Sequence, residues 1–289
     1  MKSYSHKKSK PYLYVAPALL FVLLIVGYGL FMAGAESLSP SSPLANYNAL
    51  FEDREFIDSL LISLQVAFIS TALSIVVGVL LTRMMFKLFS KDFWKFMAWF
   101  PMLIPHFVAA YLVFVLFAPS GWFSSVLFEV GIISDMGGFP ILVNDPYYIG
   151  VILTYMWKEI PFVILMLLPG YQELDFRYED VVRTLGGSGW KVWRTVEFPW
   201  MWPVLLEIGL ILFSFIMGAF EVPALLGVTY PKMLPILAFQ WFYEGSWINR
   251  PIAQALMICL SIVTVAGSVL LLSLTHKWRK RWSREEARS

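Results

Sequence analysis

The stretch TLGGSGWKVWRTVEFP, residues 184–199, sets three glycines and a lysine between two strongly apolar regions, a pattern that first suggests phosphate chemistry. A phosphate-binding P-loop needs glycine, four residues and then Gly-Lys-Ser/Thr, because backbone N–H groups cradle the phosphates while the lysine and hydroxyl meet phosphate and magnesium. Lys191 follows Trp190 instead, Val192 takes the hydroxyl position, and no other stretch fits. If nucleotide energy is used, another polypeptide binds the nucleotide. What remains is a mechanical reading: glycines accept positive φ and carry no side chain, so residues 186–189 can join two short helices at a sharp angle.

A second set of residues could do chemistry at membrane depth, where an ionisable side chain costs about 2.5–3.5 kcal/mol and tends to face a cavity or a partner. These are His106, Lys158, Glu159, Glu207 and Glu221. Lys158 and Glu159 point about 100° apart on a helix, so each is expected to find its partner elsewhere. His106, between Pro105 and Phe107, reads first as a hydrogen-bonded residue at a proline kink. Glu159, His106 and Glu221 are also the candidates for a substrate pathway, although Glu221 could equally pair with Arg250 or Lys232. His6, His106 and His276 have no metal-ligand spacing, and the single Cys259 excludes an intrachain disulfide. No cofactor and no metal are expected, which argues against a membrane enzyme.

The elements that must position these groups are membrane helices. Residues of the AVILMFWYC set make up 58% of the 289-residue chain and charged ones 15%, with a mean hydropathy of +0.68; soluble domains carry about 45–50% and about 25%. A helix needs roughly 20 apolar residues to cross a bilayer, and six segments approach that length: residues 12–32, 60–81, 96–117, 148–168, 203–220 and 252–274. Residues 122–133 are apolar but short and glycine-broken, and are expected along the outer surface. With the N-terminus inside, eighteen of the 22 basic residues fall in cytoplasmic pieces, the bias that sets orientation. Both termini are therefore expected in the cytoplasm of a multi-pass cell-membrane protein. The expected organisation is a basic tail over 1–11, a six-helix domain over 12–276 and a basic tail over 277–289. A net charge of +2 gives no reason to expect nucleic-acid binding.

On this map the glycine-rich stretch lies in the connection 170–202 between the fourth and fifth spans. The pattern predicts a helix over 173–185, a turn over 186–189, a second short helix over 190–196, and a stop at Pro199. Leu185, Trp190 and Trp193 give the outside of this elbow an apolar character, which suggests docking to a partner. Asp145, in an outer piece, reads as a position where substitution does little.

The run DVVRTLGGSGWKVWRTVEFP resembles the EAA loop of permease subunits from binding-protein-dependent ATP-binding-cassette importers. Asp180 stands at that motif's acidic position, Val181 and Val182 at its two alanines, Gly186 at its glycine, and Val196, Phe198 and Pro199 at its apolar exit. Aspartate for glutamate and valine for alanine are departures that bear on coupling geometry. WKEIPF before the loop and FEVPALLG after it are similar to the neighbouring helix ends of such permeases, and residues 218–242 resemble the spermidine/putrescine, ferric-iron and thiamine group.

The resemblance implies an all-α protein of six transmembrane helices with a coupling loop. In it Asp180, Val181, Val182, Leu185, Gly186, Gly187, Trp190, Trp193 and Pro199 would engage a cytoplasmic ATPase dimer. A second permease subunit, identical or related, would complete the pore within membrane lipid. An extracytoplasmic solute-binding protein would deliver a polyamine or another small organic or metal-containing solute. The rival reading is a secondary transporter or channel subunit without an ATPase.

Overall fold

The computed structural model describes residues 12–39, 42–87 and 92–286. The N-terminal tail 1–11 lies outside them. No strand occurs among the described residues, and six helical spans are long and apolar enough to cross a membrane: Tyr14–Ser37, Arg54–Lys87, His106–Glu129, Ile149–Glu173, Gly189–Gly218 and Trp247–Leu270. The protein is an all-α membrane protein, as the hydropathy requires: with no water to satisfy N–H and C=O groups in hydrocarbon, such segments must close their hydrogen bonds internally.

The chain divides into two compact units. One holds residues 1–53 and 238–259. Its helix α1 (Tyr12–Ser37) is exposed at every position from 14 to 32. The end of α1 is tied to α2 (Ala45–Glu52) by a Ser37–Tyr47 hydroxyl pair at 2.8 Å and by Asn46 Nδ2 donating to Ser37 O at 2.9 Å. In the same unit the Arg250 guanidinium lies 4.2 Å from the Phe242 ring centre and 4.3 Å from that of Trp247.

The larger unit holds residues 54–237 and 260–289. It contains α3 (Arg54–Lys87), α4 (Asp92–Trp99), α5 (His106–Phe117), α6 (Trp122–Glu129), α7 (Ile149–Glu173), α8 (Arg177–Thr184), α9 (Gly189–Val192), α10 (Phe198–Gly218) and α11 (Glu221–Leu226). Two further helices, α12 (Leu234–Phe239) and α13 (Arg250–Glu286), take part in both units. On α3, Ser59, Ser63, Ser70, Ser74, Gly78 and Thr82 are buried at helical spacing. Small side chains let helix backbones approach in a membrane, where packing replaces the hydrophobic drive between helices. At Gly78 the approach is so close that a Cβ would sit 2.5 Å from Val163 Cγ1 on α7. Val163, Leu167 and Tyr171 of α7 and Met201, Leu205, Ile208 and Leu212 of α10 complete this core, with Ile75 and Val79 of α3 packed on it.

Two expectations change, and a short segment that carried no secondary-structure expectation is helical. The third span is not one helix over 96–117. It breaks at a 3-10 turn, Phe100–Leu103, and restarts at His106, because Pro101 and Pro105 supply no N–H. Residues 122–133 contain the regular helix α6. Pro199 does not stop the segment before it: helical backbone is continuous from 189 to 218, with a π-helical turn over Trp193–Glu197 and Pro199 in the first turn of α10. The Phe198 N–H reaches back to Trp193 O, and a proline in a first turn lacks only a donor with little use there.

Asp145 is not a neutral surface position either. Its side chain is 2% exposed, and it accepts from the N–H groups of Tyr147 (3.1 Å), Ile149 (2.9 Å) and Gly150 (3.4 Å), which caps α7. Three residues away, Tyr148 holds a left-handed φ of 58° and its hydroxyl donates to Pro231 O at 2.8 Å. Asp145→Ala is expected to cost about 1–2 kcal/mol through the lost cap, read as a lower unfolding midpoint of the detergent-purified protein. An unchanged midpoint would mean that α7 starts without this cap.

Candidate functional site

The elbow begins where α7 ends. Asp175 accepts from the Arg177 side chain at 3.0 Å and from its backbone N–H at 3.0 Å; these hydrogen bonds hold its carboxyl below the usual carboxylate range. The predicted single helix over 173–185 is thus two pieces: α7 runs to Glu173 and α8 starts afresh at Arg177. At the end of α8 the Gly187 N–H bonds to Val182 O at 2.9 Å and the Gly186 N–H to Arg183 O at 2.9 Å. That pair of bonds is a Schellman motif, which needs a left-handed residue just past the cap. Gly186 fills it with φ 77°. Ser188 then caps α9, its Oγ accepting from Lys191 N–H at 3.4 Å.

The outer face of this turn is apolar and open. Leu185 is 78% exposed and Trp190 64%. Trp190 stacks on Trp193 with ring centres 4.7 Å apart, and Trp193 and Phe198 follow at 5.1 Å. Val181 and Asp180 are exposed on α8, Val182 is half-buried against the turn, and Pro199 lies at the root of α10. Among the described residues the Asp180 carboxylate has no hydrogen bond or ion pair, so it is not used to join the two limbs.

That task belongs to residues whose sequence signal looked like charge bias alone. Glu197, with no exposed surface, accepts from Arg83 Nε at 2.9 Å and Nη2 at 3.1 Å, from Lys87 Nζ at 2.7 Å and from the Tyr171 hydroxyl at 3.2 Å. Lys87 also reaches Glu179 on α8 at 3.2 Å, and Arg83 Nη2 reaches Gly189 O at 3.3 Å. A legible hint existed: Arg83 and Lys87 are four apart, hence on one face of α3. Charges four apart on one face invite a partner.

The intramembrane set resolves into separate pairs. His106 Nε2 and Glu159 Oε1 are 3.0 Å apart, with the imidazole 5.0 Å from the Phe215 ring. Lys158 donates to the carbonyls of Pro101 and Ile104 at the break in the third span, where the Pro101 carbonyl also accepts from the Ile104 N–H. Lys158 and Glu159 do have different partners. Glu221 is exposed and opens α11 after the chain breaks at Ala219–Phe220. Lys232 pairs with Glu55 at 3.7 Å. Glu221 is thus brought to neither His106 nor Glu159 by a hydrogen bond. On α7 the fully buried Tyr155, one turn before Glu159, has a hydroxyl without a partner.

Three comparisons bear on these features. The family described as "Binding-protein-dependent transport system inner membrane component" matches residues 56–284. A probable sulfate transport system permease protein, cysT, of Chlorella vulgaris is 23% identical over 72% of this chain and 77% of its own length. A molybdate/tungstate transport system permease protein, WtpB, of Methanocaldococcus jannaschii is 29% identical over 74% of this chain and 81% of its own. Two other relatives are longer, and the chain spans 38% and 51% of them. Among solved structures, a bacterial ABC transporter involved in the import of the acidic polysaccharide alginate superposes with a TM-score of 0.78 at 18% identity, over 92% of this chain and 94% of that one.

Proposed function

Because the chain belongs to the binding-protein-dependent transport system inner membrane components, we propose that its elbow over residues 177–199 docks on a separate cytoplasmic ATPase and couples ATP hydrolysis to solute import. The observation that carries this is the exposed apolar tip, Leu185 and Trp190, on a turn fixed by Gly186. An apolar surface on a rigid support is what a partner's cleft can grip. Orientation follows: the elbow and both termini lie in the cytoplasm, in keeping with the excess of Lys and Arg there. Six spans form half a pore, and a second permease subunit completes it. An extracytoplasmic binding protein delivers the solute.

For the solute, the names of the relatives favour an oxyanion over the polyamine that the sequence suggested. Glu159, an acidic pathway candidate that would suit a cation, is also engaged by His106 at 3.0 Å. The cognate binding protein is expected to retain sulfate or molybdate and not spermidine; a preference for spermidine would restore the cationic reading. The whole assignment is tested by reconstitution. This chain alone in liposomes is expected to hydrolyse no ATP, and ATP-driven uptake is expected only once ATPase and loaded binding protein are added. Robust hydrolysis by the chain alone would overturn it.

A further inference from the structure

We propose that Arg83, Lys87, Glu179 and Glu197 form the joint through which a push on the elbow moves the membrane helices, with Arg83 and Glu197 as its positioning pair. The inference rests on the elbow being the ATPase-docking element and adds how displacement leaves it. Each limb has a tie to α3, α8 through Glu179 on Lys87 and the second limb through Glu197 and the Gly189 carbonyl on Arg83, and Lys87 bridges the two by also donating to Glu197 at 2.7 Å. Both cations stand one turn apart on α3. A further donor to Glu197, the Tyr171 hydroxyl, comes from α7.

Glu197 therefore takes donors from two membrane helices while having no exposed surface. An apolar contact between helices can slide with little loss, whereas a buried carboxylate loses its partners if it shifts, so it favours one register. Two partly exposed cations balance two buried carboxylates, so neither carboxylate is buried without a charge partner. The elbow cannot then tilt against α3 and α7 and must carry their ends with it. Both limbs are tied to the same face of α3, so α3 receives the motion whichever limb is pushed.

The test uses the full chain assembled with its ATPase, in a Cys259→Ser background. Spin labels are placed on exposed positions of α3 (Leu80→Cys) and of the second limb (Arg194→Cys), and ATP plus vanadate is the probe. With the cluster intact, trapping is expected to change the label separation by less than about 2 Å, the size of an ordinary helix shift. In Arg83→Gln/Glu197→Gln, which keeps the remaining pair neutral, the ATPase is expected to co-purify while the separation changes by more than that on trapping. Arg83→Lys, which keeps the charge and one donor, is expected to restore the small change. Should the double variant fail to accumulate, Lys87→Gln/Glu179→Gln releases the first limb, and a label at Arg183→Cys in place of Arg194→Cys is read against Leu80→Cys.

The proposal is overturned if separations stay fixed in the released chains, if the intact chain already shows the large change, or if neither double variant accumulates, which would make the cluster a folding element alone. It is also overturned if the released chains lose the ATPase. The docking reading is judged independently, by whether Leu185→Asp still retains the ATPase.

Discussion

Gly186→Val is expected to lower ATP-driven uptake at least about fivefold while the chain still inserts and accumulates. The reason lies in the backbone. Gly186 has φ 77°, and a Cβ built there meets nothing within 4 Å, so any loss comes from conformation and not from collision. A β-branched residue in the left-handed region costs about 1–3 kcal/mol, enough to cut the population of the competent elbow by roughly 5- to 150-fold at 25 °C. The neighbouring glycine fails for a different reason: a Cβ on Gly187 would lie 2.7 Å from Val182 O, a backbone atom that cannot step aside. Gly187→Ala should therefore be damaging even though alanine is the smallest change available. Gly189 is the control, since its φ is not left-handed and its Cβ would meet nothing. Gly189→Ala should transport like the parent chain. Normal uptake and normal ATPase stimulation in Gly186→Val would reduce the elbow to a connector.

Leu185→Asp is expected to remove the ATPase from the purified complex. Leu185 is 78% exposed, so its replacement costs the isolated chain little. Burying a carboxylate in an apolar cleft, with the loss of an anchor side chain, costs about 2 kcal/mol or more at a central contact, a fall of roughly 30-fold in affinity. Trp190 is a less clean target because it stacks on Trp193. Asp180→Ala is expected to weaken the same association by a smaller factor, because the Asp180 carboxylate is exposed and is left for a partner's basic group. Titrating labelled ATPase against the variants in detergent measures both. Wild-type affinity in Leu185→Asp would move the docking surface elsewhere.

Much of this protein is written locally in its chain. Six spans follow from hydropathy because the bilayer leaves an apolar segment of about 20 residues only a helix to form. The left-handed glycine at the end of α8 was also legible, since a glycine closing an amphipathic run is a stop signal with a backbone cause. Where local signals compete, the reading went astray. Pro199 looks like a terminator, but a π-helical turn before it absorbs the missing donor. Pro101 and Pro105 look compatible with one span but break it, and Lys158 on another helix donates to two carbonyls at the break.

What only the tertiary structure decided is which charges meet. Arg83 and Lys87 read as topology signals, and Glu197 stands between the apolar exit residues Val196 and Phe198 with no role of its own in the sequence. They form one cluster around the buried Glu197 because α3 and the second limb come together across 114 positions of sequence. Asp145 is the local exception: its three backbone donors lie two to five residues ahead and converge on it as the chain turns into α7. Hydropathy and φ preference belong to a residue and its near neighbours, so sequence carries them; pairing at 3 Å depends on the rotation and register of helices packed against each other, and those are fixed by the whole bundle.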